Sequence, residues 1–85
     1  MITVYSTENC QQCKTAKLLL DMKGVDYVVK MLDVDFTREE VKSLAPNQRS
    51  FPVITKRETY GGVLMNEQLL GGLHQLQQIL NGDSL

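Results

Sequence analysis

The chain is most constrained by one stretch. The β-branched and aromatic run Met1-Ile2-Thr3-Val4-Tyr5 gives way to a polar turn, and Cys10-Gln11-Gln12-Cys13 then opens an amphipathic segment. Both sulfurs therefore fall where a strand hands over to a helix. The first turn of a helix leaves backbone N–H groups unpaired and carries the positive end of the helix dipole, so a thiolate is favoured there over a thiol. A cysteine so placed titrates at roughly 3.5–7.5 instead of near 8.5, and is then substantially ionised at neutral pH. Residues three apart share a helix face, which brings Cys13 within disulfide reach of Cys10 without much backbone movement.

The rest of the composition narrows the classes. At 85 residues the chain is expected to form one domain, residues 1–85, with a single small core. With 42% apolar and 22% charged residues it lacks the bias of a disordered chain. A net charge of −1 gives no electrostatic basis for binding nucleic acid or an anionic membrane. No run approaches the ~20 apolar residues of a membrane span, and the N-terminus enters a strand pattern directly, so the expected location is cytoplasmic. A lone Cys-x-x-Cys in such a chain reads as a redox pair more readily than as a structural bridge. Two cysteines and one histidine fall short of a tetrahedral zinc site unless a carboxylate joins them, so no metal is expected.

Taken in order, residues 1–5 read as a strand in the middle of a sheet, and 11–23 as a helix with Cys13, Ala16, Leu19 and Leu20 on one face and Gly24 as its stop. Leu18, Leu19 and Leu20 are all read as core. Tyr27-Val28-Val29-Lys30-Met31-Leu32 is a second strand, which completes a βαβ unit with a parallel pair. Thr37 and Glu40 form a capping box flanked by Phe36 and Val41 at the staple positions, and the helix ends at Ala45-Pro46-Asn47. Phe51-Pro52-Val53-Ile54-Thr55 is a third strand opened by proline. From 56 to 70 two turn signals compete, Tyr60-Gly61-Gly62 and Asn66-Glu67; an antiparallel hairpin of open register is expected, its last strand at 63–65, at 68–70, or as one longer irregular arm. Leu73, Leu76, Ile79 and Leu80 then mark a closing helix, with a frayed end from Asn81-Gly82 through residues 83–85.

The order of strand, Cys10-Gln11-Gln12-Cys13 at a helix start, Phe51-Pro52 opening a later strand, and Leu70-Gly71-Gly72 before a last amphipathic helix resembles the glutaredoxin branch of the thioredoxin-like proteins, over nearly the whole chain. The resemblance implies an α/β fold with a four-stranded mixed sheet flanked by three helices. It implies Cys10 as exposed nucleophile and Cys13 as the more buried resolving thiol. It also implies a cis bond before Pro52, with the Phe51 backbone pairing to substrate. Gln11, Gln12, Gly71, Gly72, Leu73 and His74 join Phe51 and Pro52 as substrate-binding candidates. The bland alternatives are a strand-starting proline, a plain glycine turn, and a solvent-exposed His74 at a helix start.

Two branches of the family compete. Gln12 followed by Cys13-Lys14-Thr15-Ala16-Lys17 resembles the NrdH-type redoxins, which draw electrons from thioredoxin reductase, and Gln11-Gln12 departs from the Pro-Tyr usual in glutaredoxins. Gly71-Gly72 before a helix resembles the glutathione-using branch instead. There, however, Thr7 stands where a lysine is common and His74 where an acidic residue meets the glutathione amino group. The chain also runs longer than the family habit between Pro52 and Gly71.

By resemblance, the expected activity is thiol–disulfide exchange by a monomeric thiol-disulfide oxidoreductase with no tightly bound cofactor. Glutathione or thioredoxin reductase would be the electron donor, and protein disulfides, ribonucleotide reductase among them, the targets. The rival is a glutathione- or iron–sulfur-cluster-binding carrier on the same fold without dithiol catalysis.

Overall fold

The computed structural model describes residues 1–48 and 50–82, and the frayed end expected at 83–85 lies outside the described residues. Four strands lie in the order β2-β1-β3-β4: β1 (Ile2–Ser6), β2 (Tyr27–Met31), β3 (Val53–Tyr60) and β4 (Val63–Gly71). β1 runs parallel to β2 and antiparallel to β3, and β4 returns antiparallel to β3, so the sheet is mixed. Three helices complete it: α1 (Gln11–Met22), α2 (Arg38–Leu44) and α3 (Leu73–Asn81). This is the four-stranded mixed sheet with three helices that the family resemblance implies.

The period of two along each strand divides the side chains between two faces. Ile2, Val4 and Ile54 point to one face, where Ala16 and Leu20 of α1 and Leu76 and Leu80 of α3 bury against them. α1 stops as its sequence requires. The Gly24 N–H bonds to the Asp21 carbonyl and the Val25 N–H to that of Leu20, while Val25 packs back on the core. Leu18 departs from the expectation: it is 59% exposed, because the buried positions Cys13, Ala16 and Leu20 define a stripe that it does not share.

Tyr5 and Val53 point to the opposite face, where α2 and its approach supply Phe36, Val41 and Ala45. The Glu40 N–H donates to Thr37 Oγ1 at 3.3 Å, and Phe36 and Val41 bury together as a staple. Seven residues of helix do not cover this face, and a polar group completes it. Glu67 Oε2 accepts from the hydroxyl of Tyr5 (2.6 Å), the hydroxyl of Thr55 (2.7 Å) and Nε of Arg57 (3.1 Å), and Arg57 Nη2 donates to the Tyr5 oxygen (2.9 Å). Burial pushes the Glu67 carboxyl up, but the three donors and the guanidinium charge together outweigh it and hold the group below its ordinary value of 4.5. Burial, then Glu67, raises the Tyr5 phenol above its ordinary 10, which keeps it a donor.

β3 begins one residue after Pro52 and continues to Tyr60, past the expected end at Thr55. Gly61-Gly62 makes the turn, and Asn66-Glu67, the competing signal, lies inside β4. β4 is the longer irregular arm of the three alternatives, with register shifts that leave Met65 and Leu70 unopposed.

Candidate active site

The site gathers at the ends of β1 and β3. After β1 the chain turns through Asn9, whose φ of +56° is a left-handed conformation that asparagine tolerates. Cys10 is left at the N-cap of α1 in extended geometry. Its Sγ occupies the place of a capping oxygen: the Cys13 N–H donates to it at 3.1 Å. No acidic side chain stands in the first turn of α1 to oppose negative charge there. The two sulfurs are joined as a disulfide, with Cα atoms 5.2 Å apart. Cys10 is half-buried and Cys13, at 1% exposure, is sealed beneath it.

The loop before β3 supplies the second wall. The Phe51–Pro52 bond is cis, and the Phe51 carbonyl oxygen lies 3.8 Å from Cys10 Sγ. Phe51 is held from behind by Phe36 at 6.0 Å between ring centroids, and Phe36 in turn meets Tyr5 edge-on at 5.0 Å. Gln48 braces the backbone of this loop: its Nε2 donates to the carbonyls of Pro52 (2.7 Å) and Ser50 (3.2 Å).

Gly71 and Gly72 are more than a turn. Gly71 takes a φ of +121°, and a Cβ there would come within 2.7 Å of the Gln75 side chain. At Gly72 a Cβ would stand 3.3 Å from Gln48 Nε2 and 3.5 Å from the Pro52 carbonyl, so this position lies directly against the proline loop. The Gly72 N–H donates to Gln75 Oε1 at 2.9 Å, which caps α3 by a side chain inside the helix.

Of the residues singled out from the sequence, Gln12, Gly71, Gly72, Leu73 and His74 line one groove of about 490 Å³. Phe51 lines a second groove of similar volume against α2, and Pro46, Gln48 and Ser50 form the divide between them. Pro52 is buried, Gln11 is exposed and lines neither groove, and His74 is exposed with Nε2 3.3 Å from the Gln78 amide nitrogen. Gln48 escaped the sequence reading altogether. It follows a helix end, where a polar residue is unremarked, and its bonds to main-chain carbonyls leave no pattern in side-chain types.

Known proteins share the family model and the fold of this chain. The glutaredoxin family model matches residues 2–60. The chain is similar to an uncharacterized glutaredoxin-like 8.6 kDa protein in the rubredoxin operon of Clostridium pasteurianum, at 44% identity over 55 residues, 64% of this chain and 72% of that one. Among solved structures, a buckwheat glutaredoxin–glutathione complex superposes with a TM-score of 0.72 at 22% identity, over 99% of this chain and 71% of that one. The NrdH-redoxin of Escherichia coli, described as glutaredoxin-like with a thioredoxin-like activity profile, superposes with a TM-score of 0.56 at 26% identity, over 95% of this chain and 91% of that one.

Proposed function

The chain belongs to the glutaredoxin family, and from that premise we propose that it is a dithiol redoxin, a single domain over residues 1–85 that reduces protein disulfides through Cys10 and Cys13. The observation that carries this reading is the position of Cys10 Sγ, which takes the Cys13 N–H at the mouth of α1 while the partner sulfur is buried behind it. Hydrogen bonding to the charged form and the helix dipole both favour the thiolate at that point.

In the reduced protein, the Cys10 thiolate attacks one sulfur of a target disulfide. That S–S bond breaks, and the second target sulfur leaves as a thiolate. The Cys13 thiol, on losing its proton, attacks the Cys10 sulfur of the mixed disulfide. The target's remaining sulfur departs reduced, and Cys10 and Cys13 end as the disulfide that carries the two electrons' worth of oxidation. The Phe51 carbonyl, 3.8 Å from Cys10 Sγ, suits an extended target segment laid against this loop. The groove of Gln12, Gly71, Gly72, Leu73 and His74 is of a size for glutathione or for the side chains flanking the attacked cysteine. Glutathione or thioredoxin reductase restores the dithiol, and ribonucleotide reductase is the target class that the NrdH-like motif favours.

The test is a pair of variants in an insulin-reduction assay, run once with glutathione and its reductase and once with thioredoxin reductase. Cys10→Ser abolishes reduction with either donor, whereas Cys13→Ser accumulates a mixed disulfide visible as a mass adduct on Cys10. Full activity in both variants rejects the assignment, and the donor that supports the wild type identifies the branch.

A further inference from the structure

Gln48 is placed by the end of α2. Its backbone N–H donates to the carbonyl of Ala45 at 3.1 Å, and Ala45, the C-cap of α2, is buried in the core at 2% exposure. From there the side chain reaches forward to the loop that faces Cys10. Its Nε2 donates to the carbonyls of Pro52 at 2.7 Å and Ser50 at 3.2 Å. An amide nitrogen carries two hydrogens, so these two carbonyls take up its whole donor capacity. The residue between them is Phe51, whose own carbonyl lies 3.8 Å from Cys10 Sγ.

Bonds on either side of one residue decide which way its main chain points. The Ser50–Phe51 peptide is trans, so its C=O and N–H point in opposite directions. With the Ser50 carbonyl held toward Gln48, the Phe51 N–H is turned away from it, and among the described residues that N–H has no acceptor. The bond to the Pro52 carbonyl fixes the other side of Phe51. Phe51 thus keeps an acceptor beside Cys10 and a donor that no neighbour uses. Gln48 also stands on the divide between the groove that Phe51 lines and the groove of Gln12, Gly72 and His74. Successive side chains of an extended chain point to opposite sides. A peptide paired at Phe51 therefore finds a groove on each side of its backbone, whereas a small disulfide with no main chain uses neither the pairing nor the grooves.

We propose that Gln48 is a positioning residue that makes the site selective for disulfides carried on an extended peptide over disulfides without a main chain. It acts through Phe51, by presenting the main-chain groups with which such a peptide pairs while Cys10 attacks. The proposal rests on the dithiol reading above and names the substrate class of that same site.

Single-turnover oxidation of the pre-reduced protein tests it without any reductase. The oxidant is in one series a linear peptide dimerised through a central cystine, and in the other hydroxyethyl disulfide, with products read by mass after acid quenching. Gln48→Met keeps the length of the side chain and removes both donors, and Gln48→Glu keeps its shape but sets a carboxylate against two carbonyls. In both variants the rate with the peptide falls about tenfold, the scale of one lost hydrogen bond. The rate with hydroxyethyl disulfide and the alkylation of Cys10 by iodoacetamide stay within about twofold of wild type, as they would not if the whole site had loosened. An equal fall with both disulfides makes Gln48 a general support of the site and overturns the proposal, as does a peptide rate that does not change. A wild type that neither disulfide oxidises overturns the dithiol reading itself, and the proposal goes with it.

Discussion

The two faces of the sheet solve the same problem by different physics. Under α1 and α3 the layer is aliphatic throughout, from Ile2, Val4 and Ile54 to Leu20, Leu76 and Leu80. Under α2 it is aromatic and small, with Tyr5, Phe36, Val41, Ala45 and Val53, and it ends in the Tyr5–Glu67–Arg57–Thr55 network where the short helix runs out. A face covered by two helices excludes water along its length, and burial alone stabilises it. A face covered by seven residues of helix cannot, and the buried hydroxyls of Tyr5 and Thr55 need an acceptor that the neighbouring strand provides. The thiol site sits at the junction: Cys13 is buried from the α1 side, while Phe51 is held from the α2 side through Phe36.

The comparison breaks most visibly at Leu76, which has no exposed surface and packs between α3 and the sheet. Leu76→Ala is expected to cost about 2–5 kcal/mol, the lost transfer free energy plus a cavity that rigid neighbours cannot close. Urea unfolding at neutral pH measures it, and the loss should be the same at pH 7 and pH 3, because the ionisable side chain packed on that cluster, Tyr27, has a phenol raised above its ordinary 10 that stays protonated at both.

Glu67→Gln tests the other face and should behave differently. Removing a carboxylate that accepts three hydrogen bonds is expected to cost about 1.5–3 kcal/mol at pH 7. The carboxyl is held below 4.5 in the folded chain, so its contribution is fully present above that value and is lost as pH falls through the folded value. Wild-type and variant unfolding curves should therefore converge in acid. A difference that persists undiminished at pH 2 would show that Glu67 acts through packing and not through its charge.

Much of this was legible in the chain. The strand, the Cys10-x-x-Cys13 turn, the Thr37 and Glu40 cap and the Leu76 and Leu80 stripe each follow from local spacing, and local spacing survives folding. The cis bond before Pro52 was legible only through the family resemblance. The hairpin length was not, because a ribbon exposed on both faces has no buried side to impose a period of two, and its register shifts erase what alternation remains. The Tyr5–Glu67 bond spans 62 positions, and Gln48 acts on main-chain carbonyls, so neither leaves a local signature.

The finest test of the aliphatic face is the one residue that composition misplaces. Leu18 stands two positions from both Ala16 and Leu20, which is about 200° around a helix of 3.6 residues per turn, so a run of three leucines cannot put all three on one side. Leu20 is fully buried and Leu18 is 59% exposed, as that angle requires. Leu18→Ala removes little buried area and gains slightly in helix propensity, so the unfolding free energy should stay within about 0.5 kcal/mol of wild type. Leu20→Ala, the same chemical change two residues on, should fall in the range given for Leu76. Equal losses at the two positions would mean that α1 is rotated from the stripe of Cys13, Ala16 and Leu20. Cys13 would then leave the buried stripe as well.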